Sequence, residues 1–265
     1  MNTDSIDFRN RAFLYGDAVW VSFFVRNGQL ILAEECYFFL MASMRKMRMN
    51  IPLTYTLEFF QNLLNVETER NGLQNVIIRM MVYRQNDGRI LSQSDVLYHF
   101  ESEAVNDILS VSEDIEIDLI KEISVNTNLL SSLYVHSPEN IYAGIYAAEN
   151  DLDDVIFLNP NKRIARSIDG NLLFLEGNII KIPKQTEGAY ISPLMENLVT
   201  FIHKKGLAEI VEAEIIAFES QKAEEILMVS DMKGIKSVSK IRNKTFGKIR
   251  FTKILNLWQE SFDGN

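Results

Sequence analysis

Residues 11–20 read Arg-Ala-Phe-Leu-Tyr-Gly-Asp-Ala-Val-Trp, RAFLYGDAVW in one-letter code. The Tyr15-Gly16-Asp17 triplet reads as a turn between a polar leader, MNTDSIDFRN, and a strand-forming run, AVWVSFFVRNGQL. A glycine at the mouth of a strand marks a bend, or a place where something else approaches the backbone closely. The triplet is therefore the lip of a ligand site or a plain turn. Working outward, the chain predicts a strand over 18–26, a turn at Asn27-Gly28 and a strand over 29–32. Helices over 33–48 and 56–70 follow. Next come the strand NVIIRMMVYR and, beyond Asn86-Asp87-Gly88, the strand VLYHFES. A hairpin followed by helices and more antiparallel strands predicts an α+β domain over residues 1–105.

The segment EAVNDILSVSE (103–113) is the expected boundary, with a second domain over 112–265. IEIDLIKEISV reads as strand, and PENIYAGIYAAEN as a helix with Pro138 in its first turn. Short strands follow at DVIFLN, RIARS, NLLFLEGN and IIKIP. A helix over 194–205, strands near 210–217 and 225–230, a strand after Gly234 and a helix near 251–261 complete the chain. Many short strands with few helices predict a barrel-like second domain. No GxGxxG and no P-loop is present, and the order is too irregular for a doubly wound sheet.

Bulk composition narrows the function. The 265 residues are 47% hydrophobic and 24% charged, an ordinary balance for a folded protein. A net charge of −9 argues against nucleic acid or an anionic membrane as the partner. The basic cluster KSVSKIRNKTFGKIRFTK is interleaved with Val, Ile and Phe, which suits a strand-and-turn surface. One cysteine, Cys36, excludes an intrachain disulfide and fits a reducing compartment. The leader lacks an apolar core, and no apolar run approaches the ~20 residues of a membrane span. A cytoplasmic protein is expected. His99, His136 and His203 form no ligand-spaced set with Cys36, so no metal is expected. GxSxG is missing, and Glu34-Glu35 and Asp153-Asp154 read as solvated pairs beside helix ends and turns. Residue chemistry by itself defines a two-domain α+β protein and no active site.

The order of segments says more. RAFLYGDAVW, then a strand, Asn-Gly, a strand and EECYFFLMAS resembles the opening of the fold-type IV pyridoxal-phosphate (PLP) enzymes. That family includes branched-chain and D-amino-acid aminotransferases and aminodeoxychorismate lyases. NLLSSL, IYAGIYAAENDLDDVIFLN, NLLF, EGAYISPLMENLV and EEILMVSDMKGIKSV continue the resemblance in the family's order. It covers nearly the whole chain and is strongest towards the aminodeoxychorismate-lyase-like branch, although the leader before YGD looks short by about a strand. It implies the D-amino-acid aminotransferase-like architecture: a small α/β N-terminal domain, a larger barrel-like domain and a cofactor cleft between them.

Carried over residue by residue, the resemblance places the Schiff-base lysine at Leu133 or Tyr134, and neither can form an aldimine. No lysine occurs between Lys121 and Lys162, so misalignment does not rescue one. The acid that faces the pyridine nitrogen falls at Arg166, five residues before Asn171. The phosphate-gripping arginine of an H-x-x-R-L motif falls at Phe39, within Cys36-Tyr37-Phe38-Phe39-Leu40. The Thr or Asn of the phosphate turn corresponds to Ser230-Asp231, where a carboxylate would repel phosphate. Ser192-Pro193 keeps the helix opening whose N–H groups meet the phosphate in relatives.

The resemblance thus implies a vestigial pocket of Ser192, Ser230, Asp231 and Lys233, with large side chains at Leu133, Tyr134 and Phe39 filling the vacated volume. Catalysis is expected to be lost and no cofactor bound. The alternative is an active PLP-dependent aminotransferase or aminodeoxychorismate lyase using a displaced lysine such as Lys233. Arg166 would need a partner: Asp231, Asp169 or a small bound anion. The family's usual state implies a homodimer, and no nucleic acid or membrane partner is expected.

Overall fold

A computed structural model describes residues 9–72, 74–85, 90 and 94–263. The Asn86-Asp87-Gly88 turn lies outside them. The elements are α1 (Arg11–Tyr15), β1 (Ala18–Arg26), β2 (Gln29–Ile31), α2 (Ala33–Lys46), α3 (Leu57–Asn71), β3 (Val76–Arg84), β4 (Val96–Ala104) and β5 (Val111–Leu119). Then come β6 (Tyr134–Val135), α4 (Pro138–Glu149), β7 (Asp154–Leu158), β8 (Ile164–Ser167), β9 (Asn171–Glu176) and β10 (Ile179–Pro183). α5 (Pro193–Lys204), β11 (Glu209–Ala213), β12 (Glu225–Ser230), β13 (Gly234–Ile241), β14 (Lys244–Thr245) and α6 (Ile249–Asp263) complete them.

Two sheets organise the chain. The first runs β2-β1-β3-β4, and β6 joins β1 beside Val19 and Trp20. The second runs β11-β10-β9-β12-β13-β5-β7-β8, with β14 against β13. It curls until its ends meet: the Ile164 N–H donates to the Ile215 carbonyl at 2.7 Å, and Arg163 bridges to Ile216. The expected barrel-like half follows from this closure.

In the larger sheet β7, β9 and β12 are buried on both faces, so they read as continuous apolar runs rather than alternating ones. Leu172 and Phe174 point into the barrel with Ile226, Met228 and Ile156. Their neighbours Leu173, Leu175, Leu227 and Val229 turn outward into the core shared with β1, β3 and α2. The period of two thus splits NLLFLE and EILMVS between two cores. α4 covers β7 and β8 through Ala143, Ala147, Val155 and Phe157. Both α4 and α5 begin Ser-Pro: Ser137 and Ser192 accept from the N–H groups of Asn140 and Met195, and proline occupies the first turn.

Several boundaries differ from expectation. Arg11–Tyr15 is a helical turn, not a bare leader: Asn10 caps it by accepting from the Ala12 N–H, and Gly16 ends it in the left-handed region. β5 starts at Val111, inside the expected boundary, because Ser112, Glu113 and Asp114 line an exposed stretch that masks its strand period. It also stops at Leu119, and the continuation through Val125 is irregular. β6 has two residues and exists through its pairing with β1, which no local pattern announces.

Candidate functional site

The Tyr-Gly-Asp corner is anchored by charge. The buried Asp17 accepts from Arg84 Nη1 at 2.5 Å and pairs with Arg11 Nη2 at 2.8 Å. Arg84 also donates to the Met47 carbonyl, and Asn10 donates to the Arg84 carbonyl at 3.1 Å. Gly16 has φ of 63°, and a Cβ there would lie 2.3 Å from the His136 Cβ. Only glycine lets α1 and the segment after β6 approach so closely. His136 in turn lines a cavity of about 160 Å³, so the corner borders a pocket without supplying a reacting group.

That cavity is walled by Val125, Leu130, Leu133 and Val135, with Asn126, Asn128, Ser131 and Ser137 as neutral polar groups. Arg166, Tyr190, Glu139 and His136 complete it. Arg166, on β8, is 4% exposed. Its Nη1 donates to the carbonyls of Ser167 at 2.8 Å and Ile168 at 3.1 Å, and its Nη2 to Asn140 Oδ1 at 2.9 Å. Its Nε is buried without a hydrogen-bond partner. The guanidinium lies 4.1 Å from the Tyr190 ring centroid and 5.0 Å from that of Phe157. Tyr134 stacks on the other side of this array, its ring 4.1 Å from that of Tyr190 with planes 19° apart. The order Tyr134, Tyr190, Arg166, Phe157 is a layered stack held by cation–π and ring contacts.

Hydrogen bonds lock the stack. Asn171 Nδ2 donates to the Tyr190 carbonyl and Oδ1 accepts from the Tyr190 N–H, both at 2.9 Å. Asn140 donates to Tyr190 Oη at 2.9 Å, and Tyr190 Oη donates to the Ile168 carbonyl at 3.1 Å. Burial pushes the Tyr134 hydroxyl well above the usual phenol range, and raises Tyr190 against the opposing pull of Arg166. The partners expected for Arg166 are not its partners: neither Asp231 nor Asp169 forms an ion pair with it, and its donors go to neutral oxygens.

Asp231 is engaged elsewhere. Its Oδ1 accepts from Ser192 Oγ at 2.6 Å and from the Leu194 N–H at 3.3 Å, so the carboxyl sits on the first turn of α5. Burial pushes its pKa up to about 7 despite those two donors. Burial also drives the Cys36 thiol of α2 well up, with the Asp231 charge adding to the effect. Ser230 Oγ donates to the Asp169 carbonyl at 2.6 Å and accepts the N–H groups of Met232 at 3.2 Å and Lys233 at 3.0 Å. The Ser-Asp turn is therefore saturated by the chain's own groups.

The remaining predicted residues separate. Leu133 lines the cavity, and Phe39 is buried on α2 in the core that also holds Leu133 and Tyr134. The Lys233 side chain is exposed and does not line the cavity. A lysine that sequence reasoning missed comes nearer: Lys46, at the end of α2, donates from Nζ to Ser132 Oγ at 3.2 Å. Tyr190 and Asn140, which build the stack, carry no sequence signal of their own. Among the described residues no His, Cys, Asp and Glu cluster could hold a metal, and no helix is long and apolar enough to cross a membrane.

A two-sheet chain whose C-terminal sheet curls until its ends meet, with a cavity at β6, β8 and the start of α4, has the architecture of the fold-type IV PLP enzymes. The family model described as amino-transferase class IV matches residues 22–241, and the chain belongs to that family. No curated protein sequence matches it. Solved structures do match in fold. A Legionella pneumophila protein with a proposed 4-amino-4-deoxychorismate lyase activity is 18% identical, with a TM-score of 0.85, covering 98% of this chain and 96% of its own. The branched-chain aminotransferase of Thermoproteus uzoniensis, solved with norvaline, is 18% identical, with a TM-score of 0.85, covering 97% and 89%. A hypothetical aminotransferase from Mycobacterium tuberculosis in its PLP-bound form is 16% identical, with a TM-score of 0.79, covering 94% and 90%.

Proposed function

We propose that this chain is a class IV aminotransferase or aminodeoxychorismate lyase relative that has lost PLP-dependent catalysis. The observation that carries the reading is the Tyr134-Tyr190-Arg166 stack. The positions assigned to the Schiff-base lysine and to the acid facing the ring nitrogen are joined by it through a third aromatic side chain. The residues present do not fit PLP. Leu133 and Tyr134 offer no amine, and Arg166 would oppose protonation of a pyridine nitrogen. Phe39 offers no charge to a phosphate, while Ser192 and the Leu194 N–H already serve the Asp231 carboxyl. A phosphate dianion there would have to displace or face that acid. No reaction step through the cofactor is derived for this chain.

The experiment is a visible absorbance spectrum of purified protein with and without added PLP, followed by borohydride reduction and peptide mass mapping. No absorbance band and no phosphopyridoxyl lysine are expected. A yellow protein with the label on Lys233 or Lys46 would establish the active alternative. Lys46 enters because its Nζ reaches Ser132, next to Leu133.

We further propose a cytoplasmic homodimer of two domains, 1–105 and 112–265. A single buried cysteine supports the compartment. Phe13, Leu14 and Tyr15 on α1, with Ile141, Tyr142 and Ile145 on α4, are exposed apolar residues that support self-association. Light scattering at micromolar concentration should give twice the chain mass.

A further inference from the structure

Buried arginine cannot discharge itself. Lysine or histidine in an apolar place can shed its proton, but a guanidinium stays charged. A buried charge without a counter-charge costs several kcal/mol, so it is normally paired. Arg166 is almost fully buried, yet its polar partners are two peptide carbonyls and one side-chain amide. The flanking rings of Tyr190 and Phe157 offset part of the charge and neutralise none of it. Its Nε hydrogen has no acceptor.

The carboxyl groups around it do not take the role. Glu139 lines the same cavity, but its Oε2 accepts from Ser137 Oγ at 2.8 Å and it makes no ion pair with Arg166. Asp154 accepts from the N–H groups of Val155 and Ile168, and Asp231 from Ser192 Oγ and the Leu194 N–H, rather than from Arg166. Asp169 forms no ion pair with Arg166, whose donors go to Ser167, Ile168 and Asn140. What adjoins the guanidinium instead is the cavity of about 160 Å³, with the amides of Asn126 and Asn128 and a wall of Val125, Leu130, Leu133 and Val135.

We infer that this cavity is a binding site for a small monocarboxylate with a short hydrocarbon body, its carboxylate neutralising Arg166 and its alkyl part resting on Leu130, Leu133 and Val135. One cation matches one negative charge. A phosphate dianion fits worse: Glu139 shares the cavity, and the helix terminus that would share the load is occupied by Asp231. The volume is close to that of cavities that hold a benzene-sized molecule. The inference rests on the reading that PLP does not occupy the cleft.

The test is thermal unfolding and calorimetric titration of the full chain with sodium isobutyrate, against sodium chloride and inorganic phosphate at equal ionic strength. Isobutyrate should bind saturably and raise Tm, since a ligand of the native state stabilises it by mass action. Arg166→Gln should weaken that binding roughly ten- to hundredfold. Leu130→Trp, at the half-exposed mouth, should block it while leaving the arginine in place. Absence of isobutyrate binding, equal binding in either folded variant, or tighter binding of phosphate would overturn the inference. Those results, with no PLP absorbance, leave the loss of catalysis standing. Uptake of PLP with a lysine adduct overturns both.

Discussion

Asp17 and Arg166 are both buried charges, but one is over-neutralised and the other is not neutralised at all. Asp17 stands between Arg11 and Arg84, and the corner they form pins α1, β1 and β3 together. Arg166 stands between two aromatic rings with neutral acceptors only. The first arrangement belongs to the framework, where the Asp17 carboxylate ties α1 to β3. The second lines the cavity. The difference teaches that the framework charge is paired within the chain, while the charge beside the cavity meets only neutral oxygens and aromatic rings.

The comparison can be broken most sharply at its N-terminal side. Asp17→Ala removes the carboxylate that pairs the buried Arg84 and should cost about 3–5 kcal/mol in denaturant unfolding; a loss under about 1 kcal/mol would show that the corner is not held by charge. Asp231 gives the next largest effect, through pH. Its folded pKa is about 7 against an ordinary 3.8, so the folded state binds the extra proton. Its contribution is complete below about pH 4 and is lost as pH rises through 7, with an upper bound on the order of 4 kcal/mol. Stability should therefore fall between about pH 4 and 7, and Asp231→Asn should flatten much of that slope. Asp154, raised to about 6 by burial, leaves a residual slope of the same sign.

Arg166→Met tests the other side of the comparison. Replacing an uncompensated buried cation with an apolar chain of similar length should cost no more than about 1–2 kcal/mol, well below the Asp17 change. A cost equal to that of Asp17→Ala would mean that Arg166 is fully compensated in the free protein. Tyr134→Phe should be smallest, under about 0.5 kcal/mol. The ring keeps its stack on Tyr190, and the hydroxyl makes only a 3.5 Å contact with the Asp169 carbonyl.

Much of this was legible in the residues. NLLFLE and EILMVS announce strands buried on both faces, and the Ser-Pro pairs announce α4 and α5. The segment order led from RAFLYGDAVW to the family, and hence to Leu133, Arg166 and Asp231. Other parts were not legible for definite reasons. α1 was hidden because Phe13, Leu14 and Tyr15 face solvent, leaving only the Asn10 and Gly16 caps as signals. β6 is created by a distant partner strand. At the site, the sequence placed a charge at 166 but could not say what faced it. The rings of Tyr190 and Phe157 and the amide of Asn140 converge only through tertiary structure. The same holds for Asp231, whose engagement with Ser192 bridges 39 positions of chain.

Joining β8 to the segment after β11 has a consequence for solubility. The ends of the large sheet meet at the Ile164–Ile215 hydrogen bond and the Arg163–Ile216 bridge, which narrows the margin on which another chain could add a strand. That hazard passes to the smaller sheet, where β2 and β4 are the outer strands of the β2-β1-β3-β4 order. β4 carries His99, Glu101 and Glu103 along that margin, and both acids are tethered by Arg79 of β3. Charge on the open rim and closure of the barrel are thus two answers to one problem, the suppression of fibre-like stacking between copies.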